Sequence, residues 1–236
     1  MTKIQIFSMG LLLLFSPVSS REQQPVKANP YHLDIVSKKG DYLKLVGLNP
    51  DNELVDLRMT VPGIVLDIRY ATLNNFAHQK VYASARAYAR RPVAEALCRI
   101  QADLKGKGVG LKIFDAYRPY AVSLRFFAIT PDTNFVASPK TGSRHNRGCA
   151  VDLTLIDLKT GLDLEMPTSF DNFTAKAGHA YLKLPPQALN NRQFLRDTMV
   201  KFGFAPNEGE WWHYDFKGWR SYKIMDLTFE ELGKTK

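Results

Sequence analysis

The sequence has only two cysteines, Cys98 and Cys149, among its 236 residues. Two thiols in a chain of this length do not make a disulfide framework, and neither has the close cysteine partner of a cysteine-rich zinc site. Internal repeats and low-complexity segments are absent as well, which leaves one compact domain as the simplest organisation. Hydrophobic residues make up 45% of the chain and charged residues 23%. These values are typical of a globular protein that buries one sizeable core.

Long apolar runs are also missing, except near the N-terminus. The first residues combine one cation, Lys3, with a mostly apolar run from Ile4 to Phe15 and a short stretch of small residues. The run is shorter than the ~20 apolar residues of a membrane-spanning helix, and the pattern is that of a secretory signal. We therefore predict a signal peptide at 1–20, cleaved after Ser20, and an exported protein, periplasmic or secreted. An uncleaved membrane anchor is the alternative.

Acidic residues are the scarcer charge, with 23 against 32 basic ones, so the formal net charge is +9. A basic protein outside the cytoplasm meets anionic wall polymers and lipid surfaces. Nucleic-acid binding is the other interpretation of such charge. We expect no nucleic-acid partner, because the basic residues are dispersed and the N-terminus predicts export. The oligomeric state does not follow from the sequence.

Hydrophobic periodicity predicts helices and strands in mixed order. Residues 91–105 are the clearest helix, because apolar residues recur at helical spacing and Gly106 follows. A second long helix is predicted at 187–202. Shorter elements complete the pattern: a strand pair within 53–72, strands at 109–117, 149–155 and 210–216, and a short helix at 120–128. This order predicts an α+β fold in a single domain.

The strongest local signal is the segment from Ser143 to Asp152, which reads SRHNRGCAVD. His145 lies in a polar loop with a glycine, and Asp152 lies in the strand that follows. Residues Ala150 and Thr154 share the face of Asp152 and are small, which leaves space for something other than packing. Imidazole and carboxylate groups are both zinc ligands. Taken alone, such a pair is more often structural.

A second signal is Glu210-Trp211-Trp212-His213-Tyr214. His213 is a candidate third ligand, and Glu210 is a candidate general base for a water molecule. Residues three apart in a regular strand face opposite sides, so these two side chains share a pocket only if the strand bends or bulges. The two tryptophans are candidates for the pocket wall. An exposed ion pair is the alternative for Glu210 and His213.

A third signal is Asp115-Ala116-Tyr117-Arg118-Pro119, at the end of a predicted buried strand. The charge of an arginine is permanent and its donors are fixed in a plane, so Arg118 is suited to stabilising an oxyanion. A surface or salt-bridge role is the more common one for a lone arginine.

Together these segments resemble the zinc D-alanyl-D-alanine dipeptidases of the VanX type. The resemblance extends from about Asp67 to Tyr214, with the motifs in the same order. Its segments are Asp67-Ile68-Arg69-Tyr70-Ala71-Thr72 with Asn75-Phe76, then Asp115 to Pro119, Ser143 to Leu155, Met166 to Asp171, and Glu210 to Tyr214. It implies a hedgehog/DD-peptidase-like domain at 21–236, in which a mainly antiparallel sheet is flanked by helices.

The resemblance also implies a role for each matching residue. His145, Asp152 and His213 would bind one zinc ion per chain. Glu210 would be the catalytic base and Arg118 would stabilise the oxyanion. Three further residues would hold the free ammonium group of a small dipeptide substrate: Ser143, Asp171 and Tyr70.

Two other functions remain open at this point. A carboxypeptidase or endopeptidase of the same superfamily, with DD or LD specificity, would act on longer wall peptides and would not need an ammonium clamp. A zinc-stabilised binding module without catalysis would not need both Glu210 and Arg118. We therefore expect hydrolysis of D-alanyl-D-alanine or a related dipeptide, in peptidoglycan turnover or D-alanine scavenging.

Overall fold

A computed structural model of the protein describes residues 28–131 and 136–233, and a five-stranded sheet lies at its centre. Its strands, in spatial order, are β3 (Val65–Leu66), β5 (Val109–Asp115), β6 (Ala150–Asp157), β8 (Glu210–Phe216) and β7 (Phe204–Asn207). β3 runs parallel to β5, whereas the other neighbouring pairs are antiparallel. The sheet is therefore mixed, and the expectation of a mainly antiparallel sheet is corrected. The cause is the helical crossover between β3 and β5, which returns the chain in the same direction.

Two helices that the periodicity predicted pack against this sheet. Helix α3 (Arg91–Lys105) contacts β5, and α5 (Pro186–Lys201) contacts β7. Proline stands in the first turn of each helix, where its missing N–H costs nothing. The apolar face of α3 is fully buried, with Val93, Leu97, Ile100 and Leu104 in the core. The prediction of one α+β domain is confirmed.

Shorter elements surround the sheet. The remaining helices are α1 (Lys39–Leu48), α2 (Leu57–Thr60), α4 (Tyr120–Ile129) and α6 (Phe229–Gly233). Two small sheets pair β1 (Ile35–Val36) with β9 (Ile224–Met225) and β2 (Leu54–Asp56) with β4 (Tyr88–Arg90). No helix within 28–131 or 136–233 is long and apolar enough to cross a bilayer. The predicted signal peptide lies outside the described residues.

The strand predicted through Leu66, Ile68 and Tyr70 is shorter than expected. β3 ends at Leu66, and Arg69–Ala71 forms a 3₁₀ turn. The carbonyl of Tyr70 accepts hydrogen bonds from the amides of Val81 and Tyr82. Its hydrogen-bonding partner is therefore a neighbouring loop and not a strand. Ile68 and Tyr70 are nevertheless buried. The alternation of apolar and polar residues therefore predicted burial correctly, but it did not predict the length of the strand.

Candidate metal centre and active site

Strand pairing brings Asp152 and His213 together. Asp152 of β6 lies directly opposite His213 of β8 in an antiparallel pair, and opposed residues in such a pair project from the same face. His145 reaches this face from the loop before β6, in a 3₁₀ turn (His145–Arg147). Gly148 ends that turn at a φ of 69°. The left-handed conformation is readily available to glycine, and it redirects the chain into β6.

The three side chains present one ligand atom each to a common point. Nε2 of His145 lies 3.2 Å from Nδ1 of His213, and Oδ1 of Asp152 lies 3.4 Å and 3.0 Å from these two nitrogens. Tetrahedral zinc with bonds of about 2.0–2.1 Å places neighbouring ligand atoms about 3.3 Å apart. The geometry therefore fits a metal ion of this size.

Outer partners fix which nitrogen of each histidine faces the centre. Nδ1 of His145 lies 2.7 Å from the carbonyl oxygen of Ala116, so it donates there and leaves Nε2 as an acceptor. Nε2 of His213 lies 3.0 Å from Oδ1 of Asp215, which leaves Nδ1 toward the centre. Ligating histidines characteristically donate their second N–H to a carbonyl or carboxylate. The donor set thus fits a metal in its tautomers as well as its distances.

The charges of the cluster are strongly linked. Burial opposes ionisation of Asp152, but His145 and His213 beside it lower the pKa of its carboxyl overall. Burial likewise opposes protonation of His213, yet its hydrogen bonds to Asp152 and Asp215 raise the pKa of the imidazole well above its usual range. A metal cation at this centre would compete with protonation of these groups.

Glu210 lies beside the cluster because β8 is irregular at its start. Pro206 of β7 pairs with Tyr214, but the next residue, Asn207, pairs with Glu210. This register shift is the distortion that a shared pocket requires, and Oε2 of Glu210 lies 3.9 Å from Nδ1 of His213. Asn207 orients the carboxylate by donating from Nδ2 to Oε2 at 3.0 Å. Burial raises the pKa of Glu210, which suits a group that accepts and returns a proton.

Arg118 is held rigidly in the same cleft. Its Nε and Nη2 donate to Oδ2 of Asp115 at 3.0 Å and 2.7 Å, and its guanidinium stacks near the rings of Tyr70 and Phe126. Burial opposes the charge, but Asp115 raises the pKa of Arg118 well above its usual range. Arg118 therefore keeps its charge, and Nη2 lies 3.9 Å from Oδ2 of Asp152.

The residues proposed to hold an ammonium group line the same cleft. Asp171 has a left-handed backbone, with a φ of 59°, that aspartate tolerates better than most residues. Its carboxylate accepts from the hydroxyl of Tyr70 at 3.1 Å and the amide of Phe76 at 3.2 Å. Ser143 accepts the amide hydrogen of His145 through Oγ at 3.2 Å. Burial raises the pKa of Asp171 to about 7.

All eight predicted site residues line one cleft of about 180 Å³. Drug-sized ligands occupy pockets of roughly 300–1,000 Å³, so this volume suits a smaller molecule. Of the two tryptophans predicted to wall the pocket, only Trp212 lines it, whereas the indole N–H of Trp211 donates to Thr168. Sequence reasoning missed three supporting side chains: Asn207, Asp215 and Asp115. Asp215 alone had a signal, since it alternates with His213 in the predicted strand.

Two histidines and an aspartate around one point, with a carboxylate and an arginine beside them, form the arrangement of a metal-dependent hydrolase. The family model for D-ala-D-ala dipeptidases (peptidase family M15) matches residues 50–230. The chain therefore belongs to the D-alanyl-D-alanine dipeptidase family, and the resemblance of the motifs is confirmed.

Two relatives agree with the family match. The chain is 32% identical over 182 residues to the D-alanyl-D-alanine dipeptidase of Escherichia coli K12, which covers 77% of this chain and 94% of that protein. It is 31% identical to the Enterococcus faecalis V583 D-alanyl-D-alanine dipeptidase, over 70% of this chain and 91% of that one. The solved structure of VanYB with D-alanine-D-alanine is 16% identical, with a TM-score of 0.38, and covers 66% of this chain and 87% of that one.

Proposed function

We propose that this protein is a zinc-dependent dipeptidase that hydrolyses D-alanyl-D-alanine to two molecules of D-alanine. The observation that carries the proposal is the convergence of Nε2 of His145, Oδ1 of Asp152 and Nδ1 of His213, with Glu210 beside them in a cleft. Membership of the dipeptidase family supports the substrate.

One zinc ion per chain would be held by His145, Asp152 and His213, which leaves a fourth position free of protein ligands. Bound there, the ion supplies Lewis acidity, which lowers the pKa of water and polarises the scissile carbonyl. The chain's own residues move the protons. Glu210 accepts a proton from the attacking water and passes it to the leaving amine as the C–N bond breaks. Both products are then free amino acids.

Arg118 stabilises the charge that develops on the carbonyl oxygen. Asp115 fixes the guanidinium through two hydrogen bonds, so its position is set before the substrate arrives. A preorganised donor costs no reorganisation at the moment of reaction and contributes most where water is excluded. Arg118 is buried, which meets that condition.

An ammonium clamp restricts the substrate to dipeptides with a free N-terminus. Asp171 supplies the negative charge, while Tyr70, 3.1 Å from it, and Ser143 in the same cleft supply neutral oxygens. An N-acetyl group removes the positive charge and adds bulk in a cleft of about 180 Å³. Longer or N-blocked peptides are therefore poor substrates in this proposal.

The test is release of D-alanine from D-alanyl-D-alanine by the purified protein supplied with zinc. Parallel reactions contain N-acetyl-D-alanyl-D-alanine and a wall pentapeptide ending in D-alanyl-D-alanine. We expect cleavage of the free dipeptide alone, lost with a chelator. Glu210→Ala should lower kcat by about 10²–10⁴-fold, the usual contribution of a general base.

Glu208→Ala is the matched control, because Glu208 is a nearby exposed glutamate that pairs with Arg196 outside the cleft. Its activity should stay near that of the parent. Cleavage of the blocked or longer substrates in place of the dipeptide would establish the carboxypeptidase alternative. Zinc binding with no cleavage of any substrate, and no effect of Glu210→Ala, would establish the binding module.

We further infer that the protein acts outside the inner membrane, in wall turnover or D-alanine scavenging. The support is the sequence of residues 1–20, with Lys3 before an apolar run. The N-terminus of the protein isolated from its own cells tests this location. Cleavage after Ser20 is the expected result, and an intact Met1 on cytoplasmic protein would contradict it.

A further inference from the structure

Arg144 is a second arginine at the cleft, and the proposed chemistry gives it no role. It stands between Ser143 and the proposed ligand His145, and it lines the same cleft. Its guanidinium stacks on the ring of Trp219 at 5.0 Å, and its side chain is 48% exposed. Among the described residues that line the cleft, the permanent cations are Arg118 and Arg144.

Asp171 and Tyr70 of the proposed ammonium clamp connect to the metal centre through a series of contacts. Asp171 accepts from the Tyr70 hydroxyl at 3.1 Å, and the ring of Tyr70 lies 5.3 Å from the guanidinium of Arg118. Arg118 in turn lies 3.9 Å from Asp152, the first of the cluster residues on this path. Contacts thus run from the clamp, through the oxyanion arginine, to the cluster.

The contacts continue from the cluster to Arg144. Asp152 contacts His213 at 3.0 Å, and His213 contacts Asp215 through its other ring nitrogen at 3.0 Å. Oδ2 of Asp215 then lies 3.4 Å from Nε of Arg144. The order along these contacts is clamp, oxyanion arginine, metal centre, Arg144. A dipeptide has the same order: ammonium, scissile carbonyl and amide, then carboxylate.

We propose that Arg144 binds the C-terminal carboxylate of the dipeptide substrate and so selects for a free C-terminus. The inference rests on the proposed dipeptidase function and assigns the second end of the substrate. Asp115 accepts hydrogen bonds from two nitrogens of Arg118, whereas the guanidinium of Arg144 makes no hydrogen bond to another described residue and approaches Asp215 with Nε at 3.4 Å. The Nη groups of Arg144 therefore remain to form a charge-assisted pair with a carboxylate. Stacking on Trp219 restricts the plane of the guanidinium and lowers the entropy lost on binding.

The test compares D-alanyl-D-alanine with D-alanyl-D-alaninamide, which keeps the ammonium and the scissile bond but lacks the carboxylate. Hydrolysis of the amide releases D-alanine and D-alaninamide. We expect Arg144→Gln to raise KM for the dipeptide about tenfold, as the loss of one partly exposed charge-assisted pair implies. The variant should change KM for the amide less than twofold. Arg144→Lys should recover part of the preference, because it restores charge without the fork.

Arg220→Gln is the matched control, because Arg220 stacks on the same Trp219 at 4.4 Å but does not line the cleft. Its KM values should equal those of the parent. Zinc content is measured for each variant, since Arg144 also contacts Asp215 behind His213. An equal loss on both substrates, or no loss on either, would overturn the role of Arg144. A parent that cleaves neither substrate would instead overturn the dipeptidase function itself, and the carboxylate site with it.

Discussion

Asp171 carries a carboxylate whose surroundings favour its neutral form. Burial is the largest cause, and Asp152 adds repulsion, whereas the Phe76 amide, the Tyr70 hydroxyl and Arg118 act the other way. The balance raises the pKa of Asp171 from 3.8 to about 7. A substrate ammonium group would supply the missing counter-charge. The ionised carboxylate that the proposed binding role requires therefore lowers the stability of the substrate-free protein.

Asp171→Asn should therefore stabilise the metal-free protein in a pH-dependent way. The pKa of Asp171 is higher in the folded protein than in the unfolded chain. The contribution of this group to stability is therefore complete below pH 3.8 and is lost as the pH rises through about 7. Asparagine keeps the hydrogen-bonding shape and tolerates the left-handed backbone, but it does not ionise. Because Asp171 remains partly exposed, we expect the stabilisation at pH 8 to exceed that at pH 5 by about 2 kcal/mol. Urea unfolding with a chelator present measures both values.

Asp157→Asn provides a control of opposite sign. Hydrogen bonds from the backbone and side chain of Thr160 lower the pKa of Asp157, so its ionised form contributes to stability above the unfolded-state pKa. That variant should lose the same stability at pH 8 as at pH 5, because both pH values lie above the unfolded-state pKa. If Asp171→Asn changed the free energy of unfolding equally at both pH values, the inference that the site favours the neutral form of Asp171 would be refuted.

At the same scale, the sequence identified residues that carry chemistry better than those that support them. His145 and Asp152 were found because a polar loop and small neighbours imply an unfilled space. Asn207 and Asp115 had no such signal, because their partners, Glu210 and Arg118, are defined only by tertiary geometry. A residue whose role is to orient another side chain need not belong to any recognisable sequence pattern.

At the scale of elements, the turn between His145 and β6 depends on one glycine. Gly148 has a φ of 69°, and an added Cβ there would clash with Cδ2 of Leu54 and lie 3.4 Å from the backbone nitrogen of Arg90. The amide of Arg90 also donates to the carbonyl of Gly148. The β2–β4 pair is therefore packed directly against the loop that holds His145. An added side chain would displace one of them.

Gly148→Ala should cost more stability than backbone strain alone. Gly161→Ala is the matched control, because Gly161 has a φ of 72° and nothing within 4 Å of an added Cβ. Strain of about 1 kcal/mol is expected at both positions. Overpacking should add roughly 1–3 kcal/mol at Gly148 only. Equal unfolding free energies for the two variants would show that the close packing on Leu54 has no energetic weight.

Elements with a strong internal period were predictable, and those defined by a distant partner were not. α3 and α5 lie close to their predicted bounds because each has an apolar helical face or a proline start and a glycine stop. β1 and β9 are two residues each and pair across nearly the whole described chain. Each strand has too few residues to show a hydrophobic alternation, so no local sequence pattern marks it.

At the scale of the whole molecule, the metal cluster joins the nearby residues His145 and Asp152 to His213, which lies 61 residues after Asp152 in the chain. His145 lies in a loop, Asp152 in the central strand β6 and His213 in β8. The two imidazoles face each other at 3.2 Å around one carboxylate. Binding of zinc would replace that contact with bonds to all three segments. The unfolded chain does not hold the three ligand atoms together, so it binds zinc weakly. The binding energy of zinc therefore adds to the stability of the folded protein.

Zinc should therefore raise the melting temperature of the protein, and the increase should depend on the cluster. At a free concentration one hundred times the dissociation constant, the gain is about 2.7 kcal/mol. Asp152→Asn should lose most of this increment, because an amide oxygen is a neutral and weaker ligand, whereas His78→Asn at an exposed histidine with a φ of 49° should keep it. Calorimetry with and without zinc measures the increment for each protein, apart from any change in the metal-free baseline. An equal increment in all three would place the stabilising ion elsewhere on the chain. Loss in Asp152→Asn alone would tie the stability of the fold to the same three atoms that the proposed chemistry requires.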